Sequence, residues 1–304
     1  MSYLINPSGR LVAVDDQKEF DYLLTQGFTK PTPEQEQAHI AKKMQLIEDM
    51  KRASTGSTVS SVYLATVSQQ GADGYSTTSG GLIRELAKHN IHASPFFEGQ
   101  KVALLYHNPY SLLRLESPFR IIYTMFESDK IPDDWVEYLD AADKVLVPSK
   151  WCQKVFKKAG ITSEVLPLGY DGEAYQFIQR ETKTKKRENF TFLHYNAFNI
   201  RKGFPEVLKA FVKAFRRDEP VRMVFKTTQN TLPFPLIKSE YPHIEVIKGK
   251  FGPTEMQELM ARCDCFVFPS RGEGFGITPL EAMATGMPAI VPNAHGITEY
   301  FDTQ

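Results

Sequence analysis

A repeated alternation of strand-like and helix-like segments, beginning near Thr58, is the feature that most limits the fold. Short apolar runs are each followed by a turn and then by a segment of helical character. Strands that alternate with helices are joined by crossovers, which pair the strands in parallel and cover the sheet with helices. The sequence therefore predicts an α/β protein built from parallel sheets.

The alternation stops once and then restarts, which predicts two domains. We expect a Rossmann-like domain over residues 58–172, a linker over 173–188 and a second Rossmann-like domain over 189–304. Folds of this kind bind ligands in the cleft at the carboxyl ends of their parallel strands. The linker carries four basic residues between positions 183 and 187, a run that usually forms a solvated surface. Its alternative is weak peripheral contact with an anionic membrane.

The local pattern also predicts the individual elements of each domain. In the first domain we expect strands at 59–67, 102–106, 120–125, 144–148 and 163–168, helices at 82–89, 135–142 and 151–159, and a glycine-, serine- and threonine-rich loop at 71–81. In the second domain we expect strands at 190–194, 221–226, 244–247, 265–269 and 288–291, and helices at 205–216, 253–262 and 279–285.

Residues 1–57 lack this alternation and are predicted to form a small helical extension. Thr32, Pro33 and Gln35 supply an N-cap, a proline at the first helical position and a glutamine at the third. Apolar residues then share one helical face, so we expect a helix over 32–51. The composition of the extension suggests no chemistry.

Composition narrows the class of protein. Lysine plus arginine equals aspartate plus glutamate, at 36 each, which argues against nucleic-acid binding because phosphate backbones require a net basic face. The three cysteines are too few for a disulfide framework, and they lack the spacing of a zinc site. The N-terminus has no apolar core of signal-peptide length. We therefore expect a cytoplasmic protein.

The most informative segment spans residues 269–286 and combines a strand end, a glycine loop and a helix start. Its glycines allow close approach of a ligand, and the helix N-terminus offers free N–H groups to an anion such as phosphate. Thr278 and Glu281 have the spacing of a capping box, so Glu281 has a purely structural interpretation. For Glu273 a ligand role is favoured, because a carboxylate in a glycine loop at the mouth of a sheet contributes little to the fold.

Glu273 and Glu281 lie eight positions apart with Gly-Phe-Gly between them, and this spacing resembles the signature of family-4-type retaining glycosyltransferases. That family has the GT-B fold, in which two Rossmann-like domains face each other across a cleft. Residues 58–304 follow the family's order of elements, and residues 124–132 resemble the N-terminal domain of one of its branches. The family normally continues with more helices, so we expect the C-terminal domain to be incomplete at Gln304.

The resemblance implies a role for each matching residue of the motif. Glu273 would face the donor sugar, and Glu281 would hold the hydroxyls of the ribose. The backbone at Phe275, Gly276 and Ile277 would line the sugar and phosphate site.

Three cations outside the motif look like the family's diphosphate-binding element. Arg201 and Lys202 follow the first strand of the second domain, and Lys226 lies at the end of the next strand. Many relatives carry a Gly-Arg pair at the position of residues 195–197, where this chain has no arginine, so Arg201 and Lys226 would have to carry the diphosphate. Positive groups suit a pyrophosphate leaving group, because they stabilise the charge that develops on it. The alternative for Arg201 and Lys202 is an exposed pair at a helix start.

Two features of the first domain could complete the site. Gly80 and Gly81 precede a predicted helix, as the family's glycine loop does near the donor phosphates, and their alternative is an ordinary turn. His107 follows a predicted strand and could contact the sugar, although a lone histidine there is more often a loop residue.

Together these features imply a retaining glycosyltransferase. It would move a sugar from a UDP- or GDP-sugar to a glycan, lipid or protein acceptor, with no metal and no other cofactor. Two alternatives stay open: another GT-B enzyme, such as a sugar-nucleotide epimerase or a phosphorylase, and a binding or structural module that has the fold without activity.

Overall fold

The computed structural model describes residues 2–5, 11–14, 17–25, 27–38, 41, 60–66, 74–180, 188–229 and 241–301. Two parallel sheets with helices packed against them form two α/β layers, which confirms the predicted fold class. None of the described helices is long and apolar enough to cross a membrane.

The N-terminal extension differs from the predicted all-helical segment. Strand β1 (Ser2–Ile5) pairs antiparallel with β2 (Leu11–Val14), and helix α1 (Gln17–Thr25) follows. Leu4 is fully buried against apolar side chains of α1 and of the residues after it. This packing stabilises a hairpin that the weak helical period of the segment did not predict.

A helix does begin where the capping residues predict one. Residues 33–38 are helical. The Thr32 backbone N–H donates to Gln35 Oε1 at 2.9 Å, and the Gln35 N–H donates to Thr32 Oγ1 at 3.2 Å. This reciprocal pair confirms the predicted N-cap. Apart from residue 41, the rest of the predicted helix lies outside the described residues.

The first domain is a six-stranded parallel sheet in the order β4-β3-β5-β6-β7-β8. Its strands are β3 (Ser61–Thr66), β4 (His92–Ser94), β5 (Val102–Tyr106), β6 (Phe119–Tyr123), β7 (Lys144–Val147) and β8 (Glu164–Val165). Its helices are α2 (Gly74–Lys88), α3 (Trp135–Leu139) and α4 (Lys150–Lys158), with a 3-10 helix over Pro109–Arg114. The predicted strands are therefore present, with β4 in addition.

Helix α2 corrects the prediction of a loop at 71–81. The helix begins at Gly74, so Gly80 and Gly81 lie inside it and do not form a loop before it. Glycine, serine and threonine are weak helix formers, which is why the sequence pattern suggested a loop. Apolar contacts of Leu82 and its neighbours with the sheet override that local preference.

The second domain is a five-stranded parallel sheet in the order β11-β10-β9-β12-β13. Its strands are β9 (Phe190–Tyr195), β10 (Val221–Thr227), β11 (Ile244–Lys248), β12 (Cys265–Val267) and β13 (Ala289–Ile290). Its helices are α5 (Phe204–Ala214), α6 (Pro253–Ala261) and α7 (Ile277–Ala284), with a 3-10 helix over His295–Glu299. The elements match the predicted order, and their ends differ from the predicted ones by at most two residues.

Helices cover both faces of this second sheet. Phe204, Val207 and Phe211 recur at helical spacing along α5 and pack on one face of the sheet. Helices α6 and α7 pack on the other face through a separate apolar cluster. Strand β10 is consequently buried on both sides along most of its length, as expected for a central parallel strand.

Candidate active site

The glycine loop after β12 lies directly against the first domain. A Cβ built on Gly272 would lie 2.0 Å from the backbone oxygen of Glu127, and one built on Gly274 would lie 2.7 Å from Met125 Cβ. Glu127 and Met125 follow β6, at the carboxyl edge of the first sheet. Only glycine permits so close an approach of the two backbones at Gly272.

Helix α4 makes a second set of contacts between the domains. The Ser149 hydroxyl donates to the Gly274 carbonyl at 2.7 Å, and the Lys150 backbone N–H donates to Glu299 Oε2 at 2.7 Å. The rings of Trp151 and His295 lie 5.2 Å apart. We call these contacts and those of the glycine loop the domain contact, formed by residues 125–127 and 149–152 with 272–274 and 295–299.

Glu273 is the centre of a polar cluster within the domain contact. Its side chain is buried, with 6% of its surface exposed. Its Oε1 accepts hydrogen bonds from Ser270 Oγ at 2.6 Å, from Lys202 Nζ at 2.6 Å and from Arg201 Nη1 at 3.2 Å. The structure thus brings together three of the predicted site residues, and it adds Ser270.

Arg201 spans the two domains. Its Nη1 donates to the Gly272 carbonyl at 2.6 Å, and its Nη2 lies 3.6 Å from Glu127 Oε1 on the first domain. More than a third of its side chain is exposed, at 37%. A pocket of about 490 Å³ opens beside it, with mainly apolar walls from residues 198–205. The guanidinium is therefore accessible to a ligand from solvent.

Lys202 is a desolvated cation. Burial lowers the pKa of its ammonium, and the neighbouring Glu273 partly opposes that shift. The ammonium also lies 5.2 Å from the centre of the Phe268 ring. A charge with little access to water attracts an anion more strongly than an exposed one does, because the local dielectric is low.

The turn that carries these cations is fixed to the glycine loop. Gly203 has a left-handed φ of 74° and caps α5, and a Cβ there would lie 2.5 Å from the backbone oxygen of Pro269. The Arg271 N–H donates to the Arg201 carbonyl at 2.8 Å. The cations and Glu273 are therefore held by one backbone arrangement.

The Lys226 ammonium is held by other partners, and its predicted role beside Arg201 and Lys202 at the diphosphate stays a prediction. Its side chain is fully buried. Its ammonium donates to the Gly249 carbonyl at 2.5 Å and lies 4.2 Å from the centre of the Phe251 ring. Burial lowers its pKa. The sequence identified the strand end that carries Lys226. It could not give the direction of this long, flexible side chain, which depends on tertiary packing.

Glu281 does not act in a capping box with Thr278. Helix α7 starts earlier than predicted, because Gly276 adopts a left-handed φ of 82° and takes the N-cap position. Thr278 consequently lies inside the first turn. The Glu281 side chain is only 4% exposed, and burial raises its pKa to about 8.

Phe275, Gly276 and Ile277 follow Glu273 directly, and their role in lining a sugar and phosphate site stays a prediction. A Cβ on Gly276 would lie 3.6 Å from Glu273 Cγ, and Ile277 begins α7 immediately after it. Phe275 is buried, with its ring 5.0 Å from that of Tyr300. The Tyr300 hydroxyl donates to the Gly276 carbonyl and fixes the start of the helix.

His107 and the α2 glycines remain predictions as site residues. His107 is half-buried at the carboxyl end of β5, next to β6 and hence on the sheet edge that carries Glu127. A Cβ on Gly81 would meet nothing within 4 Å, and one on Gly80 would lie 3.7 Å from Arg84. Among the described residues no group of three or more His, Cys, Asp or Glu side chains could hold a metal ion.

The contacts that Ser270 and Glu127 make at the domain contact were not predicted from the sequence. Ser270 lies inside the motif segment, three positions before Glu273, and a loop serine there has many possible interpretations. Glu127 lies in the segment that resembles the family's first domain.

Known proteins share both the motif region and the fold. Residues 176–304 match the family model described as glycosyl transferases group 1. A viral protein named as a glycosyltransferase, ORF313 of Acidianus filamentous virus 1, is 28% identical over 177 residues, which cover 58% of this chain and 53% of the relative. The chain thus spans about half the length of that curated relative.

Two solved structures resemble much of the fold, including parts of both domains, at low sequence identity. The sucrose-phosphate synthase of Thermosynechococcus elongatus has a TM-score of 0.62 at 13% identity, covering 78% of this chain and 82% of the other. The pneumococcal O-GlcNAc transferase GtfA, in complex with UDP and GlcNAc, has a TM-score of 0.51 at 13% identity, covering 66% of this chain and 44% of the other. These likenesses confirm the predicted GT-B-like fold.

Proposed function

Because residues 176–304 belong to the group 1 glycosyl transferases, we propose that the protein transfers a sugar from a nucleotide-diphosphate sugar to an acceptor. The observation that supports this most is the convergence of Arg201 and Lys202 on Glu273 at the domain contact. Two cations beside a buried carboxylate suit a ligand that carries a diphosphate linked to a sugar.

We propose a UDP- or GDP-sugar as the donor. The complex of the pneumococcal neighbour with UDP supports a nucleotide ligand. The Glu281 carboxylate, on the helix that follows the glycine loop, would accept hydrogen bonds from the ribose hydroxyls. The acceptor is a glycan, a lipid or a protein.

In the proposed reaction the bond between the anomeric carbon and the diphosphate oxygen breaks, and negative charge develops on the departing nucleoside diphosphate. Arg201 and Lys202 stabilise that charge, together with the free N–H groups at the start of α7. Glu273, whose two cationic partners are then shared with the diphosphate, faces the sugar. The acceptor oxygen adds to the face that the diphosphate leaves and passes its proton to the departing diphosphate oxygen, so that the anomeric configuration is retained.

We propose that the reaction needs no metal ion. A divalent cation in such sites neutralises the diphosphate, and two protein cations provide equivalent charge here. The desolvation of Lys202 strengthens its attraction for an anionic leaving group.

Turnover of isotope-labelled UDP-, GDP- and ADP-sugars in the presence of EDTA tests the proposal. We expect transfer to an acceptor from a panel of glycans, lipids and peptides. NMR of the product should show that the anomeric configuration of the donor is retained. Complete loss of activity with chelator would contradict the metal-free mechanism, and an inverted product would contradict retention. Isomerisation of the donor without any acceptor would indicate an epimerase, and nucleotide binding without turnover would indicate a binding module.

A further inference from the structure

The two cations of the candidate site have carboxylate partners from both domains. Arg201 and Lys202 contact Glu273 of the second domain, and Arg201 also pairs with Glu127 of the first domain. The two positive and two negative charges of this set cancel. A donor diphosphate therefore meets cations that are already neutralised, and it gains their full attraction only when one carboxylate is displaced.

Glu127 reaches Arg201 because its backbone packs against the glycine loop. The Glu127 backbone oxygen would lie 2.0 Å from a Cβ built on Gly272. Arg201 Nη1 donates to the carbonyl of the same glycine at 2.6 Å, while its Nη2 lies 3.6 Å from Glu127 Oε1. The guanidinium and the carboxylate thus belong to two segments in direct contact, and their ion pair spans the boundary between the domains.

The surroundings of the two carboxylates indicate which one a diphosphate displaces. Glu273 is 6% exposed, and its Oε1 accepts from three donors at 2.6, 2.6 and 3.2 Å. The Glu127 side chain is 35% exposed. A partly exposed ion pair contributes little because water solvates both charges, whereas a buried carboxylate that loses its partners is costly. Glu127 is therefore the partner that is displaced.

We infer that Glu127 is an exchangeable counter-ion of the donor site: it pairs with Arg201 in the empty protein, and the diphosphate of the donor takes its place. The inference rests on the proposed function and adds a residue of the first domain to the donor site. Glu127 acts through Arg201 and is a positioning residue. It orients the guanidinium before the donor arrives, and it lowers the affinity for the donor.

The exchange leaves the rest of the domain contact in place. Arg201 Nη1 keeps its bonds to the Gly272 carbonyl and to Glu273, and the Ser149 hydroxyl keeps its bond to the Gly274 carbonyl. Only Nη2 changes partner, from a carboxylate oxygen to a phosphate oxygen. Because the ion pair stabilises the empty state, it reduces the apparent affinity for every ligand that binds Nη2.

Isothermal titration with UDP, or with whichever of UDP, GDP and ADP the wild type binds most tightly, tests this inference. We expect Glu127→Gln to bind the nucleotide about two- to fivefold more tightly than the wild type, the range for loss of an exposed ion pair. A purely structural role of Glu127 would lower the affinity instead.

Asp129→Asn is the matched control. Asp129 is exposed, lies two positions further along the same segment, and accepts from the Ser128 hydroxyl at 3.3 Å. Its substitution changes the net charge by the same amount and should leave the affinity as in the wild type. An equal gain in Asp129→Asn would overturn the inference, because it would reflect a general loss of negative charge.

A double-mutant cycle shows whether the gain arises at the ion pair. In an Arg201→Gln background, Glu127→Gln should leave the affinity nearly unchanged, because no guanidinium remains to be released. The same gain with and without Arg201 would overturn the inference.

Equal or weaker binding by Glu127→Gln than by the wild type would overturn the inference and leave the proposed function intact. If Glu127→Gln does not fold, Glu127→Ala replaces it in the same titrations, with the same expected gain and the same contradicting results. Failure of the wild type to bind any of the three nucleotides would reject both proposals.

Discussion

Among single residues, Glu273 combines burial with two cationic partners and a serine hydroxyl. We expect Glu273→Gln to lower turnover at least about a hundredfold, because a neutral amide interacts more weakly with a developing positive charge on the sugar. Nucleotide affinity should stay equal or increase, since Arg201 and Lys202 lose an anionic competitor. Turnover with a labelled sugar nucleotide and titration with the free nucleotide measure the two effects.

Glu245→Gln provides the control for that substitution, because Glu245 is a half-exposed glutamate that pairs only loosely with Arg262 at 3.5 Å. Glu245→Gln should leave turnover and nucleotide affinity unchanged. Parallel losses of turnover and affinity in Glu273→Gln would instead indicate that Glu273 mainly holds the fold of the site.

The buried carboxyl of Glu281 makes stability depend on pH. Its pKa is about 8 in the folded chain, against 4.5 for an ordinary glutamate. The folded state therefore retains a proton that the unfolded state releases, so the contribution of Glu281 to stability is greatest below pH 4.5 and decreases as the pH rises toward 8. Glu281→Gln resembles the protonated form, so we expect its melting temperature to exceed that of the wild type by a few degrees at pH 8.5.

At pH 5 the two proteins should melt at nearly the same temperature, because the wild-type carboxyl is then protonated in the fold. Scanning calorimetry at both pH values, without nucleotide, measures the difference. If the difference in melting temperature between Glu281→Gln and the wild type does not grow with pH, burial of this carboxyl does not control its ionisation.

At the scale of elements, helix α2 tolerates two glycines in its interior. A Cβ on Gly81 would meet nothing within 4 Å, so Gly81→Ala should raise the free energy of unfolding by about 0.5–1 kcal/mol. Gly272→Ala is the contrasting variant, since its Cβ would overlap the Glu127 carbonyl and should destabilise the domain contact. Urea denaturation measures the stability of both variants. A separate titration tests the donor-site role that the family resemblance implies for Gly81, because a decrease in the nucleotide affinity of Gly81→Ala would support it.

The predictable elements were those whose pattern is continuous. Strand β10 is buried along most of its length and carries the apolar residues Met223, Val224 and Phe225 in sequence, which identified it as a strand. The start of α2 was not predictable, because its serines, threonines and glycines favour loops and only packing makes them helical. The start of α7 was misplaced for a similar reason, since the left-handed angle at Gly276 replaced the expected threonine cap.

The candidate site was predictable only as far as its residues are close along the chain. The motif identified Glu273, and strand ends identified Arg201 and Lys202, which the structure brings together. The direction of the Lys226 side chain and the hydrogen bond from Ser149 to the Gly274 carbonyl depend on contacts between distant segments. No local periodicity encodes such contacts.

For the molecule as a whole, the thiol of Cys152 reports on the domain contact. Its sulfur lies 3.3 Å from the Gly274 carbonyl of the other domain, and burial raises its pKa to about 11. We expect it to react with iodoacetamide only when the domains separate. Nucleotide binding should slow its modification, measured by mass spectrometry of tryptic peptides, if the nucleotide holds the domains together.

Cys263 is the internal control for this measurement, because it is buried within the second domain and away from the domain contact. Its rate of modification should follow global unfolding. Glu299→Ala removes the acceptor of the Lys150 N–H and should speed the modification of Cys152 but not of Cys263. Identical rates at the two cysteines in every sample would mean that the domains do not separate independently.

The glycine loop both carries Glu273 and packs against Glu127, so one segment holds the proposed site carboxylate and the contact between the domains. A donor that is held at this contact is exposed to the acceptor but shielded from bulk water. We therefore expect transfer of the sugar to the acceptor to exceed hydrolysis of the donor by a large factor. A larger residue in place of Gly272 should increase the fraction of donor that is hydrolysed to free sugar. Still larger residues should abolish turnover.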